Sequence, residues 1–236
     1  MFEPIKNKKI HQQVSEEIQN MILSGELKLG DKLPAERKMA EMLNVSRTSI
    51  REALRSLEII GIIESRQGEG NFISENFDRI GLEPLSLIFT LKNGKFRDIL
   101  EIRNILEIEA AGLAAERITE EGKENLLGLL DDLVNANSEA ERVEIDKSIH
   151  YKIAEYTNNI LILNVLETIS SLMTYFIEDA RLKIVKNLKV DKILEDMHKN
   201  IVNSIVSGDK NIAKQAMKEH FNNVYLSIED DEEFNN

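Results

Sequence analysis

No proline follows Pro84 in a chain that runs on to Asn236, and glycine is thin over the same stretch. Proline removes a backbone donor and glycine tolerates left-handed turns, so together they are the strongest punctuation a sequence has. Their scarcity, with apolar residues recurring every three or four positions, argues against a sheet and commits the larger part of the chain to helices. The spacing predicts helices near 82–91, 96–118, 120–136, 139–157, 159–184, 190–207 and 210–228. Breaks are expected at Lys92-Asn93-Gly94, Thr119, Asn137-Ser138, Asn158-Asn159, Asn187 and Gly208-Asp209. No internal repeat of fixed period is visible.

The first 76 residues read differently. Val14, Ile18, Met21 and Ile22 share one face of a helix over 10–24, and Gly25 stops it. "ELKLGDKLP" is a turn and a short extended piece ending at Pro34. A second helix over about 35–43 is expected to bury Met39, Met42 and Leu43. Asn44-Val45 is a tight connection, and Ser46 is placed to cap a third helix that ends at Gly61. "IIESR" and "NFIS" flank Gln67-Gly68-Glu69-Gly70, a hairpin with a glycine-rich tip. Three helices and a hairpin make a winged helix-turn-helix. The fold class is therefore mainly α: a winged helix-turn-helix over 1–76 and an all-helical bundle over 77–236, two domains in a chain of suitable length.

Arg47, Arg51 and Arg55 recur every fourth residue in the third helix, in a chain of formal net charge -12. The acidity is unevenly placed. Residues 1–78 carry 11 lysines and arginines against 13 acids, a balance of -2, and the rest carry 19 against 29, a balance of -10. Residues four apart lie within about 40° of each other around a helix, so the arginines form one ridge. One reading is a solvated face, with Glu52 and Glu58 as partners. The other is DNA. The second helix of a helix-turn-helix offers its N-terminal residues to base edges, and arginine's fork can grip guanine or a phosphate. Ser46, Thr48 and Ser49 add small hydroxyls at the same helix end.

"GDKLPAERKMAEMLNVSRTSIREALRSLEIIGIIESRQGEGNFI" resembles the DNA-binding domain of the GntR family of bacterial transcription regulators, over about residues 10–75. The matching blocks are Gly30-Asp31-Lys32-Leu33-Pro34, Glu36-Arg37, Ser46-Arg47-Thr48, Arg51-Glu52-Ala53-Leu54, Gly61 and Gly68-x-Gly70-x-Phe-Ile. The resemblance implies that Arg37, Arg47 and Arg51 are the main DNA-contacting arginines. Ser46, Thr48 and Ser49 assist, and the wing tip at Gln67 and Gly68 approaches the minor groove. Arg55, a turn further on, is left to phosphate or solvent.

Three of the four histidines lie in the helical part. Asp146 and His150 are spaced i,i+4 on one helix, while His198 and His220 fall on two others. Helices can converge such groups inside a bundle, where imidazoles with one carboxylate suit zinc, nickel, cobalt, iron or manganese. Spacing alone leaves each histidine equally open to an ordinary structural role.

"DKSIHYKIAEYTNN" and "HKNIVNSIVSGDKNIAKQAMKEH" are similar to segments of the FCD ligand-binding domain, which accompanies GntR-type winged helices in the FadR-like subfamily. The resemblance implies that Asp146, His150, His198 and His220 hold a divalent transition metal, zinc or nickel first. Ile149 stands where an aromatic is usual, and Asn158 where glycine is usual. "ILEIRNILEIEAAGLAA" looks like the first long helix of that domain and implies that Arg103 faces the cavity. With the metal, Arg103 would receive a small carboxylate effector, and Asn159 would line the same cavity. An ion pair from Arg103 to Glu107 at i+4 is the structural alternative, and Glu107 could also back a ligand.

The expected protein is a cytoplasmic, ligand-responsive regulator, a repressor, that binds a palindromic double-stranded operator as a homodimer. The absence of cysteine, of an apolar run behind the basic N-terminus and of a membrane-length apolar stretch fit that location. The rival is a metal-dependent hydrolase on the helical domain. Against it, the sequence shows no nucleophile motif and no phosphate-cradling glycine loop.

Overall fold

Caps and left-handed turns set the layout of the N-terminal part. In a computed structural model, which describes residues 8–75, 82–184 and 188–229, the chain divides into two compact units, Met1–Glu83 and Pro84–Asn236. The expected boundary between 76 and 77 lies outside the described residues, as does the break at Asn187.

In the first unit, α1 (Ile10–Leu23), α2 (Glu36–Leu43) and α3 (Arg47–Ile59) precede β1 (Ile63–Arg66) and β2 (Gly70–Ile73). Asn44 turns the chain between α2 and α3 at φ 51°, a left-handed conformation that asparagine tolerates better than most residues. The Ser46 hydroxyl then accepts from the Ser49 backbone N–H at 3.1 Å and starts α3. Val14, Ile18, Met39, Ile50, Ala53, Leu54, Leu57, Ile63 and Ile73 form the core. Met42 and Leu43, expected there, are instead exposed, Met42 by 66 %. Met39 and Ala40 take the buried positions of this short helix.

The strands pair antiparallel with Ile63 opposite Ile73 and Arg66 opposite Gly70. The extended piece before Pro34 joins them. Gly30 N–H donates to the Ile73 carbonyl at 3.0 Å, Ile73 N–H to Asp31 at 2.8 Å, and Leu33 N–H to Asn71 at 2.8 Å. The wing is thereby stitched to the segment that leads into α2.

α4 (Leu82–Leu91) begins two residues before the division, and the second unit continues with α5 (Phe96–Arg117), α6 (Glu120–Asn135), α7 (Glu139–Tyr156), α8 (Ile160–Ile184), α9 (Leu188–Ser207) and α10 (Lys210–Glu229). α5 is the central helix, packing against α7, α8, α9 and α10. Its buried face carries Ala110, Ala111, Ala114 and Ala115, whose small side chains let the neighbouring helices approach closely. Leu126, Ile149, Ile153, Ile201, Val202, Ile205, Met217 and Phe221 complete the core. No helix among the described residues is long and apolar enough to cross a membrane.

Candidate nucleic-acid interface and metal centre

Arg47, Arg51 and Arg55 lie exposed along α3, opposite the buried Ile50, Ala53, Leu54 and Leu57. Thr48 is exposed beside them, and Ser46 and Ser49 are occupied in the cap, their hydroxyls 2.9 Å apart. The acids of α3 itself, Glu52 and Glu58, form no ion pair with the ridge among the described residues. Glu52 faces His11 at 3.2 Å, and Arg47 and Arg55 have no ion-pair partner among the described residues. Arg51 reaches across to Glu36 on α2, with Nη2 2.9 Å from Oε2. Arg37 donates from Nε to Glu41 on its own helix at 3.0 Å. Gln67 and Gly68 are exposed at the wing tip, where Gly68 adopts φ 78°. Behind the tip, Arg66 pairs with Glu64 at 3.3 Å and stacks on Phe72, 4.5 Å from the ring centre.

In the second unit α7, α9 and α10 bring His150, His198 and His220 together, all buried, with one nitrogen from each within 4.8 Å of the others. Two of the three imidazoles are oriented by an acceptor behind them. His150 Nδ1 donates to Glu107 Oε2 on α5. His198 Nδ1 donates to the Leu194 carbonyl at 2.8 Å, one helical turn back. The same ring's Nε2 lies 2.8 Å from Asp146 Oδ1, an ion pair when the ring is protonated. At that separation a positive charge lies with the pair, either the ring's own proton or a cation. His220 Nδ1 is buried with no hydrogen-bond partner. Burial, then the neighbouring His198 and His150, push His220 well below its ordinary value, so its ring is neutral and offers a lone pair.

Glu107 is itself buried, which alone would raise its pKa. Arg103 and His150 outweigh burial and hold it down to about 2. Arg103 donates from Nε to Oε1 at 2.5 Å, so one carboxylate joins the arginine to the histidine cluster. The guanidinium also lies 5.7 Å from the centre of the Phe221 ring. Three converging imidazoles beside a carboxylate oxygen, with a carboxylate behind one ring, are the donor types that a borderline divalent cation takes. The orphaned His220 nitrogen is what that fit explains.

Asn159, expected in the cavity, is exposed, and its Oδ1 accepts from the backbone N–H groups of Leu161 and Ile162 at 3.1 and 3.3 Å. The structure gives it the work of capping α8, because a carboxamide at the position before a helix meets the unpaired N–H groups first. Asn158 adopts φ 49°, the backbone state for which glycine is the usual choice. Ile149 is fully buried in the core. Two groups escaped sequence reasoning. The Leu194 carbonyl has no sequence signature, and Glu36 pairs with Arg51 across 15 positions, too far for a spacing rule.

Residues 10–73 match the family described as "Bacterial regulatory proteins, gntR family", and residues 98–223 match the FCD domain. The HTH-type transcriptional regulator LutR of Bacillus subtilis is 35% identical over 209 residues, which are 86% of this chain and 94% of LutR. The putative L-lactate dehydrogenase operon regulatory protein of Escherichia coli is 28% identical over 225 residues, 94% of this chain and 87% of that one. The solved structure of Streptococcus agalactiae GntR superposes with a TM-score of 0.72 at 29% identity, covering 92% of this chain and 99% of that one. These relatives regulate transcription and are not enzymes, so the hydrolase alternative has no support. The chain belongs to the GntR family of bacterial transcription regulators, with an FCD effector-binding domain following its winged helix.

Proposed function

We propose that this regulator is a cytoplasmic homodimeric repressor whose grip on a palindromic operator is tuned by a small organic acid bound at a metal site in the helical domain. Two winged helices related by a two-fold axis would meet two half-sites of a duplex. Arg47 and Arg51 meet it from α3 and Arg37 from α2. Thr48, Ser46 and Ser49 attend the start of α3, and Gln67 and Gly68 sit at the wing tip. Asp146, His150, His198 and His220 would hold the cation. When bound, the cation supplies a fixed positive charge that a carboxylate can meet. Arg103, fixed by Glu107, adds a second cationic group, and burial strengthens its attraction for an anion.

The observation that carries this reading is the convergence of three buried imidazoles beside Asp146. An acid that binds one arrangement of the DNA-binding domains better than another changes operator affinity by the matching factor. The E. coli relative is named for an L-lactate dehydrogenase operon, which makes a small hydroxy acid of that kind the first ligand to try. Elemental analysis and native mass spectrometry of protein purified without added ligand test the site. About one divalent ion per chain is expected, and His198→Ala should lose it. Unchanged metal content in a folded His198→Ala protein would defeat the assignment.

A further inference from the structure

We propose, on the operator-binding reading above, that Glu36 is a positioning residue for DNA: it holds one edge of the Arg51 guanidinium so that the other edge meets a guanine already oriented. Arg51 spends Nε and Nη2 on the two Glu36 oxygens, at 3.4 and 2.9 Å. A hydrogen on Nη1 and the second hydrogen on Nη2 then point together away from the carboxylate. This fork matches guanine O6 and N7 in the major groove.

The two partners come from different helices. Glu36 sits in the first turn of α2, where the positive end of the helix favours its charge. Met39 and Ala40 on one side and Ile50, Ala53 and Leu54 on the other anchor the two helices in one core. The Glu36 side chain is 28 % exposed against 69 % for Arg51, so the holder is the more confined of the two. Stability is a poor reason for such a pair, since exposed ion pairs contribute little. Raw affinity is no better, since an acid near the docking face opposes phosphate attraction. What the pair does supply is order: Arg51 loses its rotamer freedom before the duplex arrives. Arg47 has no partner among the described residues, and Arg37 is held only by an exposed neighbour on its own helix. Those two suit phosphates, which position the protein without specifying sequence.

The full-length protein is first used to select its preferred site from a randomised duplex library. Wild type, Glu36→Ala, Glu36→Gln and Arg51→Ala are then compared by competition against that site, each of its single-base variants and an unrelated duplex. Glu36→Ala should lose on the order of tenfold discrimination at a G·C pair, the same pair at which Arg51→Ala loses it. Binding to the unrelated duplex should be unchanged or tighter. Glu36→Gln, which keeps one acceptor, should fall between. Wild-type discrimination at every position in Glu36→Ala would overturn the proposal. So would a uniform loss across all duplexes, which a merely structural defect gives. A wild-type protein that selects no sequence would end the operator-binding reading, and this proposal with it; that failure is separately visible because it involves no variant.

Discussion

Glu107 accepts from Arg103 through one carboxylate oxygen and from His150 through the other. Replacing it with glutamine keeps the shape and removes the charge that orients His150 and holds Arg103. Carboxylates behind ligating histidines typically change metal affinity by about 10- to 100-fold, so Glu107→Gln should weaken metal binding by that much. Competition against a chromophoric chelator would measure it, and retained affinity would show that Glu107 is only an ion-pair partner. Half of this arrangement is legible in sequence, because Arg103 and Glu107 stand four apart on one helix. The other half joins positions 43 apart, and nothing in local periodicity says that α5 meets α7 there. Asn159 shows the converse. A carboxamide immediately before an apolar helix meets its unpaired N–H groups, a local signal for the cap, whereas the cavity role is only what the resemblance implies. Met42 and Leu43 mark a third limit, since an apolar residue on a short helix need not face the core.

Helix limits were the most legible feature, because the signals that set them are local. Ser46, Thr119 and Ser138 each accept from the backbone N–H three residues on, at 3.1, 3.1 and 3.2 Å. Between these caps the expected and observed spans differ by only a residue or two. How the helices assemble was not legible. Periodicity says which face of α9 or α10 is apolar but not which helix it meets, so only resemblance brought the three histidines together. Ser46→Ala should cost about 1 kcal/mol by removing an accepted hydrogen bond at the start of α3. Denaturant unfolding of the full chain would measure it. Ser46→Gly should cost less, since glycine suits that position nearly as well as serine. Equal losses for the two would point to the Ser46–Ser49 hydroxyl contact rather than the cap.

At the scale of the whole molecule, effector and operator must be linked reciprocally. If L-lactate weakens operator binding of the metal-loaded protein by some factor, the operator must weaken L-lactate binding by the same factor. Couplings of this kind run at about 1–3 kcal/mol. Calorimetric titration with the acid, with and without saturating operator duplex, measures that factor from the acid's side. Equal acid affinities in the two titrations would remove the regulatory link while leaving the metal site intact. The wing has a consequence of its own. Backbone hydrogen bonds given by Gly30 and Leu33 and accepted by Asp31 tie β2 to the approach of α2, so hairpin and helices travel together. The protein's share of an encounter is then nearly rigid docking, and bending or narrowing must come from the double helix. Stiff base steps beneath the hairpin should be disfavoured even where no side chain touches them.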